Sequence, residues 1–569
     1  MAAAHLGPAV GSGAGPALVA NHAGGRPVHA HADTLIVGRI ITNNPAAPSA
    51  EAMAVSGGQI IGIGALSEVE GLTDPNTTTI KPDGVVLPGL IEPHMHIWTS
   101  LLNLTWTDLS AEACPKFDDV IAALKSAAAQ TPKGGWVRGK LFDPSLYPGE
   151  PSLTCAMLDT AVPDHPVLVM NASMHYLYAN SPAFAEAGIT DQTPDPPGGE
   201  FGRADGKLNG IIGEAPAMMM MMAKLPRPSQ SEIRSGITQI LNACAAQGVT
   251  SLREAATGAV AGPQELAMLH QMNGAQRLPV RVSTAQFAIL AGCAKAADVA
   301  AAWTAAGVTP FSGDEMVRAD AWKVVVDGSN QGRSGYFFQP YLGEDTGGHA
   351  NLTPEGLHDA LKAGLDGGWQ LMVHTNGDAA VEFALTAMEQ LLPGYPANDL
   401  RHRFEHVSFT TDDQLTRMAK AGISPSFLMN HVYYWGAAFR DTILGPARAA
   451  RLDRAASAYR VGLRPSFHSD YNVTKVHPLQ SARTGALRQL QVDDSVLNPA
   501  ECVPPEQALA AITTHAAWQI HADDRGSLEV GKRADFALAD ANPWESDPAT
   551  WDHIAFHATY IDGTPAWTS

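Results

Sequence analysis

The chain of 569 residues is 45% hydrophobic and 17% charged, which provides enough apolar material for a large core. Its 37 basic and 57 acidic residues give a net charge of −20, which argues against a basic face that binds nucleic acid or an anionic membrane. The 5 cysteines are scattered without a Cys-x-x-Cys pair, so the 21 histidines, together with carboxylates, are the expected ligands of any metal.

The first segment of the chain is rich in alanine and glycine and contains no basic residue before Arg26. We predict that residues 1–31 form a disordered tail rather than a signal peptide, and we therefore expect a cytoplasmic protein. No run of 18 or more apolar residues occurs, so the sequence predicts no membrane-spanning segment.

Short β-strands are predicted at both ends of the chain. They span residues 33–42 and 52–64 near the amino terminus, and residues 533–539 and 557–562 near the carboxyl terminus. Because strands from opposite ends of a chain can pair, we predict a small β-sandwich domain with the main domain inserted between its halves. The predicted limits of this domain are residues 32–84 and 524–569.

Between these ends, short apolar strands alternate with helical patterns, which is typical of a parallel sheet. Eight strands are predicted, at residues 85–96, 250–254, 279–285, 322–328, 370–377, 403–408, 423–428 and 465–470. They predict an α/β fold with a (β/α)8 TIM barrel formed by residues 85–97 and 248–523, and a doubly wound open sheet is the alternative. The first two strands lie much farther apart than a normal connection allows, so residues 98–247 are predicted to be an inserted subdomain.

Polar residues follow several of these strands at their carboxyl ends, where a barrel of this kind places its catalytic groups. His94 and His96 lie two residues apart, so both imidazoles can point the same way and chelate one metal ion. Later strands carry the further candidates Lys323, His374, His406 and Asp470. Each residue alone is a weak signal, but their joint order along the strands predicts a metal centre.

Lys323 needs a separate explanation, because a free ammonium group does not coordinate a cation. Burial beside dications would lower the pKa of Lys323 toward the neutral amine, which can add carbon dioxide and become a carbamate. An N6-carboxylated Lys323 would offer two oxygens that bridge two metal ions. An unmodified lysine, whether it reaches toward solvent or forms an ion pair, would leave a mononuclear site.

At these residues the sequence resembles the amidohydrolase superfamily, and specifically the YtcJ-like amidohydrolase family 3, over nearly the whole chain after residue 32. The similar segments are residues 86–96, 171–180, 323–329, 374–378, 403–406, 431–435, 468–470 and 526–536. The resemblance implies a hydrolase with one or two divalent metals, usually zinc, and a homodimer. The implied metal ligands are His94, His96, carboxylated Lys323, His374, His406 and Asp470.

The known members of this family include a deformylase of N-substituted formamides, which indicates the type of bond. The resemblance therefore implies hydrolysis of an amide or formamide C–N bond in a small molecule by a metal-activated water, with Asp470 as general base. The same residues would also suit a deaminase or a hydrolase of cyclic amides, ureas or lactones. A non-catalytic relative of the barrel is a further alternative, but its mark would be lost ligands, and all six positions are filled.

Other residues are candidates for contact with the substrate. His175, His431 and Tyr433 are candidates to bind the carbonyl or oxyanion, and His175 and His431 are therefore also candidate catalytic residues. Trp435 suits the wall of a pocket. Arg333 follows the fourth strand and could hold either an acidic group of the substrate or a structural carboxylate.

Overall fold

A computed structural model describes residue 29 and residues 31–569, so the predicted tail lies almost wholly outside the described residues. The strands, in chain order, are β1 Thr34–Ile41, β2 Ser49–Ser56, β3 Gln59–Gly64, β4 Thr78–Ile80, β5 Val85–Pro88, β6 Leu90–Met95, β7 Thr107–Asp108, β8 Val137–Phe142, β9 Val167–Asn171, β10 Tyr176–Ala179, β11 Glu200–Ala204, β12 Lys207–Gly213, β13 Val249–Thr257, β14 Arg281–Phe287, β15 Ser312–Gly313, β16 Val317–Val325, β17 Gln370–Thr375, β18 Arg403–His406, β19 Ser424–Phe427, β20 Ser466–Phe467, β21 Phe536–Ala539, β22 Phe556–Ile561 and β23 Thr564–Thr568.

The α-helices are α1 Leu66–Val69, α2 Trp98–Leu101, α3 Phe117–Gln130, α4 Cys155–Ala161, α5 Ser181–Ala187, α6 Glu214–Met222, α7 Gln230–Ala245, α8 Gln264–Ala275, α9 Ala296–Ala305, α10 Pro354–Asp366, α11 Asp378–Leu391, α12 Asp412–Ala421, α13 Asn430–Ala438, α14 Pro446–Ala449, α15 Ala455–Arg460, α16 Pro478–Leu487, α17 Pro505–Ala510 and α18 Thr514–Gln519. Short 3-10 turns span Glu70–Leu72, Pro144–Leu146, Leu392–Gly394, Pro499–Glu501 and Pro548–His553, and a π-helix spans Phe439–Ile443. In the described part of the chain, no helix combines the length and hydropathy that a membrane crossing requires.

A nearly closed barrel of eight parallel strands forms the centre of the molecule. Its strand order is β6-β13-β14-β16-β17-β18-β19-β20, and β15 pairs antiparallel with β16 at its side. Two backbone hydrogen bonds join the ends of the first and last strands, from Asp470 N to His94 O at 3.2 Å and from His96 N to Tyr471 O at 2.7 Å. The predicted α/β barrel is therefore confirmed, and the sheet is not an open doubly wound sheet.

The helices around the barrel bury one face against its strands, as α10 shows. Thr353 caps this helix by accepting a hydrogen bond from Gly356 N at 3.1 Å, and Pro354 takes the first helical position. Leu357, Leu361 and Leu365 recur every fourth residue, and each is at most 5% exposed. Full burial of each such leucine stabilises the fold by about 1.5–3 kcal/mol.

The segment predicted as one strand over residues 85–96 forms two strands that belong to different sheets. β5 pairs antiparallel with β21 near the chain end, whereas β6 pairs parallel with β13 in the barrel. Gly89 separates the two strands, and a Cβ atom there would lie 2.1 Å from the Thr250 hydroxyl oxygen. The prediction of a continuous strand was wrong because a run of apolar residues does not reveal where the chain passes from one sheet to another.

The two ends of the chain meet in one eight-stranded sheet, with the order β23-β22-β21-β5-β1-β2-β3 and with β4 beside β1. Residues 107–213 carry a separate six-stranded sheet, with the order β11-β12-β10-β9-β8-β7 and with apolar clusters of its own. The sandwich arrangement of the chain ends, the inserted subdomain and the exact domain limits stay predictions.

Candidate active site

The first and last strands of the barrel bring three predicted ligands together. His94 lies on β6, His96 follows the end of that strand, and Asp470 follows β20. The Nε2 atoms of both histidines lie 3.2 Å from Oδ1 of Asp470. Ligand atoms around a tetrahedral zinc ion, with bonds of 2.0–2.1 Å, lie about 3.3 Å apart. The three side chains therefore have the spacing of ligands that share one ion.

A second pair of histidines lies beside this group. Nδ1 of His374, on β17, lies 3.1 Å from Nε2 of His406, at the end of β18. His406 has a φ of 66°, and Val407 N donates to Glu405 O at 2.8 Å, so the chain makes a γ-turn at this histidine. The turn ends the strand and lets Glu405 and His406 both point into the site, although strand alternation would place consecutive residues on opposite faces.

The donor atoms of these residues fit a divalent metal. His94, His406 and Asp470 each offer a ligand atom, and these atoms lie within 4.8 Å of one another. Nε2 of His94, Nδ1 of His406 and Oδ1 of Asp470 are buried and have no hydrogen-bond partner in the part of the chain that the structure describes. Buried polar atoms without a partner are costly, and a cation among them would satisfy all three.

A buried carboxylate, Glu405, orients the first histidine. Its Oε2 lies 2.6 Å from Nδ1 of His94, and it accepts hydrogen bonds from Arg403 Nε at 2.6 Å and Nη2 at 2.8 Å. Burial raises the pKa of Glu405, but the charge of Arg403 and the hydrogen bond from His94 outweigh it and hold the pKa well below its usual value. The ionised carboxylate therefore places the proton of His94 on Nδ1 and leaves Nε2 free to bind a metal.

A second buried carboxylate, Asp327, lies behind the other pair of histidines. Its carboxylate accepts hydrogen bonds, each 2.9 Å long, from the backbone N–H groups of Tyr336, Asn376 and Gly377. Its Oδ1 lies 3.6 Å from Nε2 of His374, so Nδ1 of that ring faces His406. Burial raises the pKa of Asp327 to about 7, although the three backbone hydrogen bonds oppose the shift.

Lys323 lies on β16 and is 2% exposed. Burial lowers the pKa of Lys323 to about 8, and the negative charges of Glu405 and Asp470 partly oppose this shift. The side chain is thus close enough to both carboxylates for their charges to act on it. The structure brings the lysine to the same end of the barrel as the predicted ligands.

His175 approaches the barrel from the turn between β9 and β10. The turn packs against Gly332, where a Cβ atom would lie 3.1 Å from the Tyr176 ring and 3.5 Å from the Ser173 hydroxyl. Gly332 belongs to the loop that follows β16, and burial together with the charges of Lys323 and His175 lowers the pKa of His374 well below its usual value. His175 therefore lies over the carboxyl end of the barrel.

His431 and Trp435 lie on one side of α13, which follows β19. His431 is 2% exposed, its Nδ1 lies 3.4 Å from the Ser408 hydroxyl, and its ring centre lies 5.7 Å from that of Trp435. Burial lowers the pKa of His431 to about 4, and the charge of Asp470 opposes the shift. Trp435 donates a hydrogen bond to Asp143 at 2.9 Å and lines a cavity of about 220 Å³.

Two further predicted substrate contacts have partners within the chain. The Tyr433 ring centre lies 6.0 Å from the Arg483 guanidinium, because Tyr433 projects from a different side of α13 than His431. Arg333 donates hydrogen bonds to the Glu344 carboxylate at 2.6 Å and to Thr442 O at 2.9 Å. Arg333 thus holds a carboxylate of the chain itself, which was one of the two roles considered for it.

Sequence reasoning did not assign a role to Glu405 or Asp327. A usable signal existed for Glu405, because Arg403 and Glu405 lie two residues apart on one strand and therefore share a face. Asp327 lies two residues after the end of β16 and begins an Asp-Gly-Ser segment. Its position near the end of a predicted strand could therefore also be read from the sequence.

The chain is similar to known proteins over most of its length. The sequence profile of the amidohydrolase family matches residues 83–566. The N-substituted formamide deformylase of Arthrobacter pascens is 26% identical over 90% of this chain and 94% of its own length. The YtcJ amidohydrolase of Bacillus subtilis is 26% identical over 90% of this chain and 95% of its own length.

The fold also resembles a solved structure. An uncharacterised metal-dependent hydrolase from Pyrococcus horikoshii superposes with a TM-score of 0.70 at 20% identity, covering 91% of this chain and 99% of its own chain. At this identity the likeness concerns the fold, whereas the profile match covers most of the sequence and decides the family. The chain belongs to the amidohydrolase family and is a hydrolase that acts on carbon–nitrogen bonds.

Proposed function

We propose that the protein hydrolyses an amide or formamide C–N bond of a small molecule at a divalent metal centre, with Asp470 as general base. The observation that carries this proposal is the convergence of His94 and His96 on Oδ1 of Asp470, each at 3.2 Å. The similarity to a formamide deformylase supports the choice of bond. Zinc is the proposed metal, because imidazole and carboxylate ligands at this spacing suit it.

The ligands of the proposed centre are His94, His96, His374, His406 and Asp470, together with Lys323 in a modified form. When bound, a divalent cation lowers the pKa of a water toward neutrality and polarises a carbonyl.

Asp470 is suited to move the proton of the reaction. Burial raises the pKa of Asp470, but the nearby imidazoles of His94, His96 and His406 outweigh it and hold the pKa well below its usual value. The carboxylate is therefore ionised at neutral pH and can accept a proton from the attacking water. It then passes this proton to the leaving nitrogen as the C–N bond breaks and a C–O bond forms, which yields a carboxylic acid and an amine.

We also propose that Lys323 is carboxylated on Nζ. The neutral amine and carbon dioxide form an N–C bond with release of one proton, and the resulting carbamate offers two anionic oxygens. This modification resolves a conflict in the site, because a buried ammonium group among metal ligands would repel the cation.

His175, His431 and Trp435 are the proposed contacts of the substrate. Trp435 and its neighbours line the cavity of about 220 Å³, which suits a small organic group. The turn that carries His175 packs against the loop that follows β16, and its imidazole is the proposed contact of the substrate carbonyl. Tyr433 and Arg333 have other partners, so they are not part of the proposed contacts.

The test of the general base is Asp470→Asn, assayed with a panel of formamides, N-acyl amines, cyclic amides and lactones. We expect this variant to lose turnover and to retain most of its metal by elemental analysis, whereas Asp359→Asn, at an exposed carboxylate, behaves as wild type. A near wild-type rate for Asp470→Asn would refute the assignment. A metal-loaded wild-type protein that cleaves no C–N bond of the panel would overturn the proposed function.

The test of the carbamate is Lys323→Ala. We expect this variant to hold less metal per chain, and we expect a small carboxylate such as acetate, which can occupy the space of the carbamate, to restore part of the metal and the activity. Unchanged metal content without acetate would overturn the carboxylation of Lys323.

A further inference from the structure

Outside the proposed metal centre, the carboxylate of Glu214 is paired with His175. Glu214 begins α6, directly after β12, and its Oε2 lies 3.0 Å from Nδ1 of His175. The backbones of the two residues are also joined, because Glu214 N donates to His175 O at 2.8 Å. Glu214 has a φ of 62°, a conformation that residues with a side chain rarely adopt. The unusual backbone conformation of Glu214 thus occurs together with a side-chain contact and a backbone hydrogen bond to His175.

The charge state of the pair follows from its surroundings. Burial raises the pKa of Glu214, but the hydrogen bond from His175 and the nearby charges of His175 and His349 outweigh it, so the pKa falls below its usual value. An ionised Glu214 accepts the Nδ1–H of His175 at 3.0 Å, so Nε2 is the ring nitrogen that is not used by Glu214. When both ring nitrogens carry hydrogen, Nε2–H is therefore available to another acceptor.

The pair is fixed against the loop that follows β16. Ser173 and Tyr176, on either side of His175, pack on Gly332, where a Cβ atom would lie 3.1 Å from the Tyr176 ring and 3.5 Å from the Ser173 hydroxyl. The same stretch of chain includes Asp327, whose Oδ1 lies 3.6 Å from Nε2 of the proposed ligand His374. Movement of the His175 turn is therefore restricted relative to the metal centre.

We propose that Glu214 is a positioning residue that directs Nε2–H of His175 at the carbonyl oxygen of the scissile amide. This inference rests on the proposed hydrolysis and deepens it. As water adds to the carbonyl carbon, the oxygen gains negative charge, so a fixed cationic donor binds the transition state more strongly than the substrate. Glu214 does not touch the substrate and acts only through the ring that it holds.

The kinetic test is a double-mutant cycle with His175→Ala, Glu214→Ala and the variant that carries both changes. We expect His175→Ala to lower kcat about 100- to 1000-fold, as loss of an oxyanion donor does. We expect Glu214→Ala to lower kcat about 10- to 100-fold and Glu214→Gln, which keeps an acceptor for Nδ1–H, to lower it less. In the double variant the loss should equal that of His175→Ala alone, because Glu214 acts through His175.

The control is Glu186→Ala, at an exposed carboxylate on α5, and all variants are compared by metal content and melting temperature. If the fold-loss of kcat in the double variant equalled the product of the two single losses, the proposal would be overturned. A loss of activity in Glu214→Ala that is explained by a lower metal content would overturn it as well.

A readout without substrate separates this proposal from the proposed function. NMR of the histidine ring nitrogens, assigned with His175→Ala, reports which nitrogen carries the proton. We expect hydrogen on both Nδ1 and Nε2 of His175 in the wild type and on only one of the two nitrogens in Glu214→Ala. An unchanged ring in Glu214→Ala would overturn the role of Glu214, whether or not the wild type cleaves any amide.

Discussion

Replacement of Glu405 by glutamine tests how the buried ion pair behind the metal site contributes to stability and metal binding. Glu405, Arg403 and His94 are all 0% exposed, and the carboxylate lies 2.6 Å from both Nε of Arg403 and Nδ1 of His94. The isosteric change Glu405→Gln removes the negative charge and leaves the Arg403 cation buried without a counterion. Breaking a buried pair in this way costs about 3–5 kcal/mol.

The size of the expected thermal shift follows from the size of the barrel. An unfolding entropy of about 2.1 cal/mol/K per residue over roughly 300 barrel residues gives ~0.6 kcal/mol/K, so the Tm should fall by about 5–8 °C. Metal affinity should also fall, by about 10- to 100-fold, because Glu405 places the proton on Nδ1 of His94. Calorimetry of the metal-free protein measures the first effect, and titration with zinc against a competing chelator measures the second.

A matched control is Glu389→Gln. Glu389 also pairs with an arginine, Arg417, at 2.8 Å, but this carboxylate is 37% exposed. A surface pair of this kind contributes about 0–1 kcal/mol, so its loss should hardly change the Tm. If Glu405→Gln matched Glu389→Gln in both Tm and zinc affinity, the role assigned to the buried carboxylate would be wrong.

Two further predictions concern stability. In urea denaturation, Gly89→Ala should lower the free energy of unfolding by about 1–3 kcal/mol through overpacking, because its Cβ would lie 2.1 Å from the Thr250 hydroxyl. Gly71→Ala, with open space around it, should leave this free energy unchanged. Burial lowers the pKa of His402 to about 4. Between pH 7 and pH 5 the unfolded state therefore takes up a proton at this residue and the folded state does not, which lowers the free energy of unfolding by about 2 kcal/mol. In His402→Gln the amide oxygen can still accept the hydrogen bond from Leu371 N. Urea denaturation should therefore show a smaller difference in unfolding free energy between pH 7 and pH 5 for this variant than for the wild type, and an equal difference would contradict this account.

The sequence was sufficient to predict the barrel and the candidate metal ligands. Apolar strands that alternate with helices favour a parallel sheet, and parallel strands place their carboxyl ends on one face of the barrel. Polar residues at those ends, such as His94, His374 and Asp470, must therefore lie near one another, whatever the details of packing. This is local information, since each position can be recognised from its own strand.

The residues that orient the ligands depend on contacts between distant parts of the chain. Glu405 meets His94 across 311 positions, and Glu214, at the start of α6, meets His175 across 39 positions. The sequence also did not show which partners Tyr433 and Arg333 would find within the chain, or that Gly89 divides the first predicted strand between two sheets.

The sequence by itself thus determined which residues are available at the end of the barrel, because strand periodicity and strand order are properties of the chain. Only the tertiary structure decided how those residues are oriented, through the tautomer of His94, the ring direction of His374 and the pairing of His175. The physical reason is that orientation depends on hydrogen bonds between side chains far apart in sequence, and strand periodicity contains no information about them.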